Sequence, residues 1–304
     1  MFTQPETKYY QWKKYRCAYR EYNINPDHDS LPLVLVHPVG VGLSGLFWHR
    51  FLANITTKLP QQSIYNFELL GCGECDLPRI AYDPKDWASQ LKFFLENIVK
   101  KPVILVVQGA SFPVAIYTGA GDLKCDLIKG IILSGPPAWN VMTNGSNRNI
   151  SDITWNIFFD SLIGNFFYKY ARQRKFIKSF SEKELFANAN QVDEEWLNML
   201  EKDGFEMKKR YGVFSFLAGF WRKDYTKLMK QMDQKILLIM GDKATSVSKE
   251  GYKEKPEKRV ELYQQNIPNL EGKIIHGRNV LPYESTDSFV AEVMNFIDNF
   301  AIIS

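Results

Sequence analysis

Short, continuously apolar segments alternate with amphipathic segments along most of this chain. Apolar runs of about four to eight residues are typical of strands that are buried on both faces of a parallel sheet. The predicted strands lie at residues 15–22, 32–36, 64–70, 103–107, 130–133, 235–240 and 272–276. The predicted helices lie at 84–99, 112–119, 257–266 and 286–300. Repeated strand–helix units of this kind predict a doubly wound, mostly parallel α/β sheet.

One long segment, residues 138–226, interrupts this alternation because it has no strand pattern and is rich in aromatic residues. It lies between the fifth and sixth predicted strands, so we expect it over the carboxyl ends of the strands, where open α/β sheets bind ligands. We predict an α/β core of residues 1–137 and 227–304 with residues 138–226 as a helical lid. Most of the aromatic side chains would form the core of the lid, and a few would line an apolar pocket beneath it.

The composition is that of an ordinary globular protein. Of the 304 residues, 45% are hydrophobic and 24% are charged, and the formal net charge is +4. Lysines and arginines are scattered among carboxylates, so we expect no nucleic-acid partner. The sequence has no signal-peptide pattern and no apolar run of about 18 to 20 residues, and we therefore expect a cytoplasmic protein without a membrane span.

The four cysteines are too sparse for a secreted disulfide scaffold. Cys72 and Cys75 form a CxxC motif, which could be redox-active or could supply half of a zinc site. The second half of a zinc site is missing, and the motif follows a predicted strand. We interpret these cysteines as ordinary loop residues, and we expect neither a metal nor another cofactor.

Residues 102–120, PVILVVQGASFPVAIYTGA, predict a sharp turn between a strand and a helix. The apolar run stops at Gly109-Ala110-Ser111, and a helix pattern follows. In a nucleophile elbow, such a turn exposes a serine hydroxyl at the carboxyl end of the strand, in front of the N–H groups of the next helix. We therefore predict Ser111 as the strained tip of the turn and as a candidate nucleophile. In a different register Ala110 or Gly109 would be the tip, and no nucleophile would remain.

The order and spacing of several motifs resemble those of the α/β-hydrolase superfamily over nearly the whole chain. The motifs are VLVHPVG (34–40), FELLGCGECD (67–76), GASFP (109–113), IILS (131–134), ILLIMGDK (236–243) and LPYE (281–284) after Gly277. The chain is most similar to the lidded, epoxide-hydrolase-like and esterase-like branch, and within it to a subgroup associated with photosynthetic bacteria and plastids. The resemblance implies a hydrolase of small apolar ester or acyl substrates, with the N–H groups of Val39 and Phe112 as its oxyanion hole.

The chain departs from the pattern of this superfamily at positions that matter for catalysis. Counted back from Glu284, the histidine of the family would lie at 279, where the chain has Asn279, and an amide cannot accept a proton from serine. The acid of the family would lie at 244, where the chain has Ala244. Pro113 also replaces a small residue two positions after Ser111. The resemblance thus implies a degenerate catalytic triad.

A triad could be rebuilt from neighbouring residues. His276 lies three residues before Asn279, and Asp242 lies two residues before Ala244. A relay of Ser111, Asp242 and His276 would keep the order of nucleophile, acid and base along the chain. The remaining histidines are His28, His37 and His49. A histidine at a strand end and an aspartate in a turn more often have only local structural roles.

Two functional hypotheses remain open. The chain is either a serine-type hydrolase of small apolar esters, amides or carbon–carbon bonds that acts through Ser111, or a non-catalytic protein that binds an apolar ligand or a protein partner. In both hypotheses the expected ligand of the pocket is a small apolar molecule. They differ in whether an imidazole and a carboxylate lie within hydrogen-bond reach of Ser111.

Overall fold

The computed structural model describes residues 3–25 and 30–301. In this part of the chain, eight strands form one sheet in the order β1-β2-β4-β3-β5-β6-β7-β8. The strands are β1 (Lys8–Trp12), β2 (Tyr15–Tyr22), β3 (Leu33–Val36), β4 (Ile64–Phe67), β5 (Val103–Gln108), β6 (Ile128–Ser134), β7 (Lys235–Gly241) and β8 (Leu270–Ile275). The pairs β1–β2 and β2–β4 are antiparallel, and all other neighbouring pairs are parallel. The carboxyl ends of the parallel strands therefore share one edge of the sheet.

Helices cover both faces of this sheet. The helices are α1 (His49–Lys58), α2 (Pro84–Phe94), α3 (Phe112–Gly119), α4 (Trp139–Thr143), α5 (Arg148–Ile153), α6 (Leu162–Ala171), α7 (Arg174–Phe180), α8 (Glu194–Asp203), α9 (Arg210–Leu217), α10 (Thr226–Met229), α11 (Pro256–Asn266), α12 (Leu281–Glu284) and α13 (Thr286–Ala301). On one face, α2, α3 and α11 bury Trp87, Phe112 and Tyr263. On the other face, α1 and α13 bury Phe51 and Phe289. The predicted doubly wound, mostly parallel α/β sheet is confirmed.

The connection between β6 and β7, which are neighbours in the sheet, contains the seven helices α4 to α10. One-turn π-helical extensions continue α5 through Thr154–Phe159 and α7 through Ser181–Leu185. The connection packs against the rest of the protein through aromatic contacts, in which the ring of Trp196 on α8 lies 6.3 Å from Phe47 and 4.7 Å from Tyr283 between centroids. We refer to residues 138–226 as the helical segment.

Backbone contacts also join α8 of the helical segment to the loop after β3. Gly42 in this loop has φ of +73°, and a Cβ atom there would lie 2.1 Å from the carbonyl oxygen of Leu200 on α8. Only glycine permits both this conformation and this approach. The Asp193 side chain accepts a hydrogen bond from the Trp196 amide and so begins α8 with an N-cap.

No helix in residues 3–25 and 30–301 is both long enough and apolar enough to cross a bilayer.

Candidate functional site

The turn between β5 and α3 has its strained backbone at Gly109. Gly109 has φ of +57°, whereas Ser111 has φ of −80° and ψ of −1°. Residues Gly109–Ser111 form one 3-10 turn, and α3 begins at Phe112. The prediction that Ser111 has the positive φ of the tip is wrong, because Ser111 already has a helical conformation. The tip of the turn is Gly109, which carries no nucleophile.

The Ser111 hydroxyl lies away from solvent. Ser111 is only 3% exposed, and its Oγ donates a hydrogen bond of 2.7 Å to the carbonyl oxygen of His37. His37 follows β3, so this hydrogen bond joins the turn after β5 to the loop after β3. Because the hydroxyl hydrogen is used in this hydrogen bond to a backbone carbonyl, it is not directed at a catalytic base. In this conformation Ser111 stabilises the packing of two loops.

The predicted oxyanion donors have different environments. The Phe112 N–H donates to the carbonyl oxygen of Gly109 inside the 3-10 turn, so it is not directed at a ligand. Within the described residues, no hydrogen bond to the protein engages the N–H of Val39, and Val39 is half-buried. Because Gly109 is the tip, the amide that follows the tip belongs to Ala110, and it replaces Phe112 as the candidate second donor.

There is room for a side chain at the tip. A Cβ atom built on Gly109 would have one neighbour within 4 Å, the carbonyl oxygen of Gly135 at 3.9 Å. Gly109, Ala110 and Gly135 are all partly exposed, so the surface around the tip is open. The turn thus has the backbone of an elbow and the space for a nucleophile, but not the nucleophile itself.

Asn279 lies beside the turn and is held by three parts of the protein. Its carbonyl oxygen accepts a hydrogen bond of 2.7 Å from Gln108, the residue before the tip. Its side-chain Nδ2 donates to the carbonyl oxygens of Glu184, at 2.7 Å, and Thr245, at 3.0 Å. Both amide hydrogens are therefore used. Asn279 acts as a structural bridge between β5, the helical segment and the loop after β7.

The loop after β7 supplies no carboxylate at position 244. Ala244 is buried, and its N–H donates to the carbonyl oxygen of Gly241 in a tight turn. Thr245, the next residue, accepts hydrogen bonds from the Arg278 side chain and contacts Asn279 through its carbonyl oxygen. Position 244 therefore lies next to the loop that carries residue 279.

His276 and Asp242 form a pair, but at a distance from Ser111. The His276 Nδ1 lies 3.2 Å from the Asp242 Oδ2, and the Asp242 Oδ1 accepts from the Gly277 amide at 3.1 Å. Desolvation raises the pKa of Asp242, but the hydrogen bonds from Gly277 and His276 outweigh it and the net direction is down. The His276 side chain is 74% exposed at the end of the edge strand β8. Three strand spacings separate β8 from β5, which is roughly 14 Å.

The structure therefore brings together two of the three residues of the rebuilt triad. The Asp242–His276 pair forms, whereas the Ser111 hydroxyl is buried and bonded to a carbonyl. The other described histidines are bonded elsewhere: the His49 Nε2 lies 2.7 Å from Glu195, and His37 is buried. His28 lies outside the described residues.

A cavity of about 330 Å³ opens between α7 and the loop after β7. It is lined by Phe176, Ser179, Phe180, Lys183, Glu184 and Val247. The cavity adjoins Asn279, because Asn279 donates to the carbonyl oxygen of Glu184 in the cavity wall. It is an open groove at the surface, because its lining residues Phe180 and Val247 are exposed, and three of its six lining side chains are apolar.

Sequence reasoning missed a buried pair, His37 and Glu68, behind the turn. The His37 Nε2 accepts a hydrogen bond from the Leu69 N–H, so Nδ1 carries the proton and donates to the carbonyl oxygen of Pro38. Burial lowers the pKa of His37 to about 4 and raises the pKa of Glu68 to about 7. Their side chains approach to 3.4 Å. The signal was present in the sequence, because each residue directly follows a buried strand.

The same region contains the CxxC motif. The sulfur of Cys75 accepts a hydrogen bond from the Ala18 N–H at 3.1 Å, and all four cysteines are buried and free. Burial raises the pKa of both Cys72 and Cys75. Protonated, buried thiols are poor nucleophiles and poor metal ligands. Within the described residues, no group of histidine, cysteine and carboxylate side chains could hold a metal ion.

We expect the unfolding free energy of Glu68→Gln, measured relative to that of wild type, to increase as the pH rises. Because the folded-state pKa of Glu68 is about 7, the folded protein keeps a proton that the unfolded chain loses near pH 4.5. This stabilisation is complete below about pH 4.5 and is lost as the pH rises through about 7. Glutamine does not ionise, so the unfolding free energy of the variant minus that of wild type should rise by roughly 3 kcal/mol between about pH 4.5 and about pH 8.

Urea unfolding of both proteins over this pH range is the measurement. His37 has the opposite dependence, since its lowered pKa gives stability that is present above about pH 6.5 and is lost as the pH falls through about 4. Because His37 contacts residue 68, its contribution need not cancel in the difference, and the same comparison in a His37→Gln background removes it. A difference that stays constant with pH would contradict the burial of an ionisable Glu68.

No sequence profile of a known protein family and no curated protein sequence matches the chain. Solved structures match it over nearly its whole length. A bromoperoxidase from Bacillus anthracis is 17% identical with a TM-score of 0.73, covering 96% of this chain and 100% of that chain. The serine hydrolase CarC, involved in carbazole degradation, is 15% identical with a TM-score of 0.70, and the match covers 96% of this chain and 98% of that chain. An enol-lactonase from Burkholderia xenovorans LB400 is 13% identical with a TM-score of 0.69, and the match covers 96% of this chain and 100% of that chain. At these identities the likeness establishes the fold alone.

Proposed function

We propose that this chain, which has the α/β-hydrolase fold, binds a small apolar molecule beneath its helical segment and does not hydrolyse it. The observation that carries this proposal is Gly109 at the tip of the elbow, with φ of +57° and no side chain. A nucleophile on a strained tip is what lets this fold attack a carbonyl carbon. Asn279 and Ala244, at the positions of the base and the acid, point to the same conclusion.

Binding would use backbone donors together with an apolar wall. The N–H groups of Val39 and Ala110 would donate to a carbonyl or carboxylate oxygen at the open tip. The cavity beside Asn279 offers Phe176, Phe180 and Val247 to an apolar group. Residues 138–226 would then act as a lid. A site that polarises a carbonyl but lacks a nucleophile and a base binds its ligand without turning it over.

The test compares binding with turnover on the same p-nitrophenyl esters of increasing acyl length. We expect saturable binding that strengthens with chain length, no labelling by a fluorophosphonate, and any slow hydrolysis to be unchanged within about twofold by Ser111→Ala or by His276→Ala. Residual hydrolysis alone does not show a working triad, since oxyanion donors and substrate binding by themselves accelerate a reaction about 10³- to 10⁴-fold over its rate in water. A loss of two or more decades in either variant would overturn the proposal.

A second candidate is hydrolysis by Ser111, His276 and Asp242, which the 3.2 Å contact between His276 and Asp242 favours. This function requires the Ser111 hydroxyl to leave the His37 carbonyl oxygen and the exposed imidazole to move towards it. The double variant Ser111→Ala/His276→Ala separates the candidates. If the two residues act as a unit, the double variant is no slower than either single variant, and both singles are strongly impaired.

A further inference from the structure

The solvent side of the helical segment carries a concentration of exposed apolar side chains. Half of the large hydrophobic side chains that are exposed in the described part of the chain lie between residues 150 and 170. They are Ile150, Ile153, Ile157, Phe158, Leu162, Ile163, Phe166 and Tyr170. We call this set the apolar patch. Exposed apolar patches of this kind mark sites of interaction with proteins or membranes.

The apolar patch is not the internal face of these helices. The inner face of α5 and its extension buries Trp155 and Phe159, and α6 buries Tyr168. Phe159 stacks on Phe214 at 4.7 Å between ring centroids, which completes the packing inside the helical segment. The outer residues recur at helical spacing, with Ile150, Ile153 and Ile157 on one helix and Leu162, Phe166 and Tyr170 on the next. Two adjacent helices thus present a second apolar face that the described protein does not cover.

Unpaired basic side chains lie on the helices that carry this patch and on the next helix. Residues 148–180 contain six lysines and arginines but only two carboxylates, Asp152 and Asp160. Three of these cations are paired with carboxylates, Arg148 with Asp83 and Asp152, Arg174 with Glu194 and Glu201, and Lys178 with Glu182. Lys169 and Lys175 are exposed and make no ion pair with any carboxylate in the described part of the chain. The cations of residues 148–180 that remain without a carboxylate partner in the described part of the chain are therefore Lys169, Arg172 and Lys175, and Lys169 lies 5.8 Å from the ring of Phe166 in the patch.

We propose that the apolar patch and its lysines bind the surface of an anionic lipid bilayer, with α5 and α6 lying in the interface. Apolar side chains entering the acyl boundary and basic side chains among anionic headgroups are the two interactions of interfacial helices. The same charge argues against a second copy of the chain as the occupant, because two copies would bring like charges together. This peripheral binding does not depend on whether the site at Gly109 is catalytic.

The test is co-sedimentation with vesicles. We expect wild type to bind phosphatidylcholine vesicles that contain about 30% phosphatidylglycerol, to bind pure phosphatidylcholine at least tenfold more weakly, and to dissociate in high salt. Leu162→Ser/Phe166→Ser should weaken binding at least tenfold, because these two side chains are 75% and 70% exposed and would enter the bilayer. Lys169→Glu/Lys175→Glu should also weaken it at least tenfold.

Matched controls lie outside the patch. Tyr252→Ser removes an exposed aromatic side chain, and Lys227→Glu/Lys253→Glu reverses two exposed lysines elsewhere. These controls should bind as wild type does, and every variant should unfold at the wild-type temperature because the altered side chains are exposed. Unchanged binding by Leu162→Ser/Phe166→Ser, or equal binding to neutral vesicles, would overturn the proposal. So would a wild-type dimer in analytical ultracentrifugation that this variant dissociates, since the occupant would then be a second copy.

Discussion

Gly42→Ala is expected to lower the free energy of unfolding by about 3–5 kcal/mol. A Cβ atom at this position would lie 2.1 Å from the carbonyl oxygen of Leu200 and 2.6 Å from its carbonyl carbon. These are backbone atoms of α8, so the clash can be relieved only by moving the helix or the loop. The φ of +73° adds the usual cost of a left-handed conformation for a residue with a side chain.

Gly109→Ala is the matched control for this prediction. Its φ of +57° is similar, but the nearest atom to the new Cβ would be 3.9 Å away. We expect the free energy of unfolding to fall by only about 1–2 kcal/mol, which is the cost of placing a residue with a side chain in the left-handed conformation. Urea unfolding of both variants gives the comparison. Equal losses would mean that α8 does not pack on the loop after β3 in solution.

The triple variant Gly109→Ser/Asn279→His/Ala244→Asp is expected to hydrolyse p-nitrophenyl esters about a hundredfold faster than wild type, the lower end of what a positioned general base contributes. A serine at 109 would occupy the positive-φ tip, where there is room for its side chain. Residue 279 is already held against Gln108, the neighbour of the tip. Thr245, next to position 244, already contacts residue 279. The three substitutions would thus place nucleophile, base and acid in adjoining loops.

Two controls make this gain interpretable. Gly109→Ala/Asn279→His/Ala244→Asp contains the new base and acid without the nucleophile, and it should stay at the wild-type rate. Gly109→Ser alone should gain little, since no base activates the hydroxyl. A fluorophosphonate should label residue 109 in the triple variant, as mass spectrometry would show. A nucleophile-free control that is as fast as the full triple variant would refute the elbow geometry.

Much of the fold could be predicted because the buried strands are continuous apolar runs. β3, β5 and β7 are nearly fully buried, and their sequences show it directly. β1 was not predicted, since KYYQW carries polar residues and pairs only with β2 at the edge of the sheet. β8 begins two residues before the predicted start, at Leu270, because an edge strand with mostly exposed side chains has no clear apolar boundary.

The candidate site was harder to predict than the sheet. The register of the elbow depends on how many residues the chain needs to turn from β5 into α3, and hydrophobic periodicity does not measure that number. Ser111 has the right chemistry for a nucleophile, whereas Gly109 has the right conformation for the tip. Likewise, the role of Asn279 as a bridge depends on Gln108 and Glu184, which are distant in sequence and meet only in the folded chain.

The glycine at the elbow tip also has a consequence for the evolution of this chain. Because residue 109 has both the left-handed backbone and open space for a side chain, the tip needs no rebuilding to carry a reactive group. Glycine codons that end in a pyrimidine are a single base change from serine, cysteine and aspartate. Asparagine is likewise one base change from histidine, and a pyrimidine-ending alanine codon is one from aspartate. With such codons, one base change at each of residues 109, 279 and 244 would give serine, histidine and aspartate.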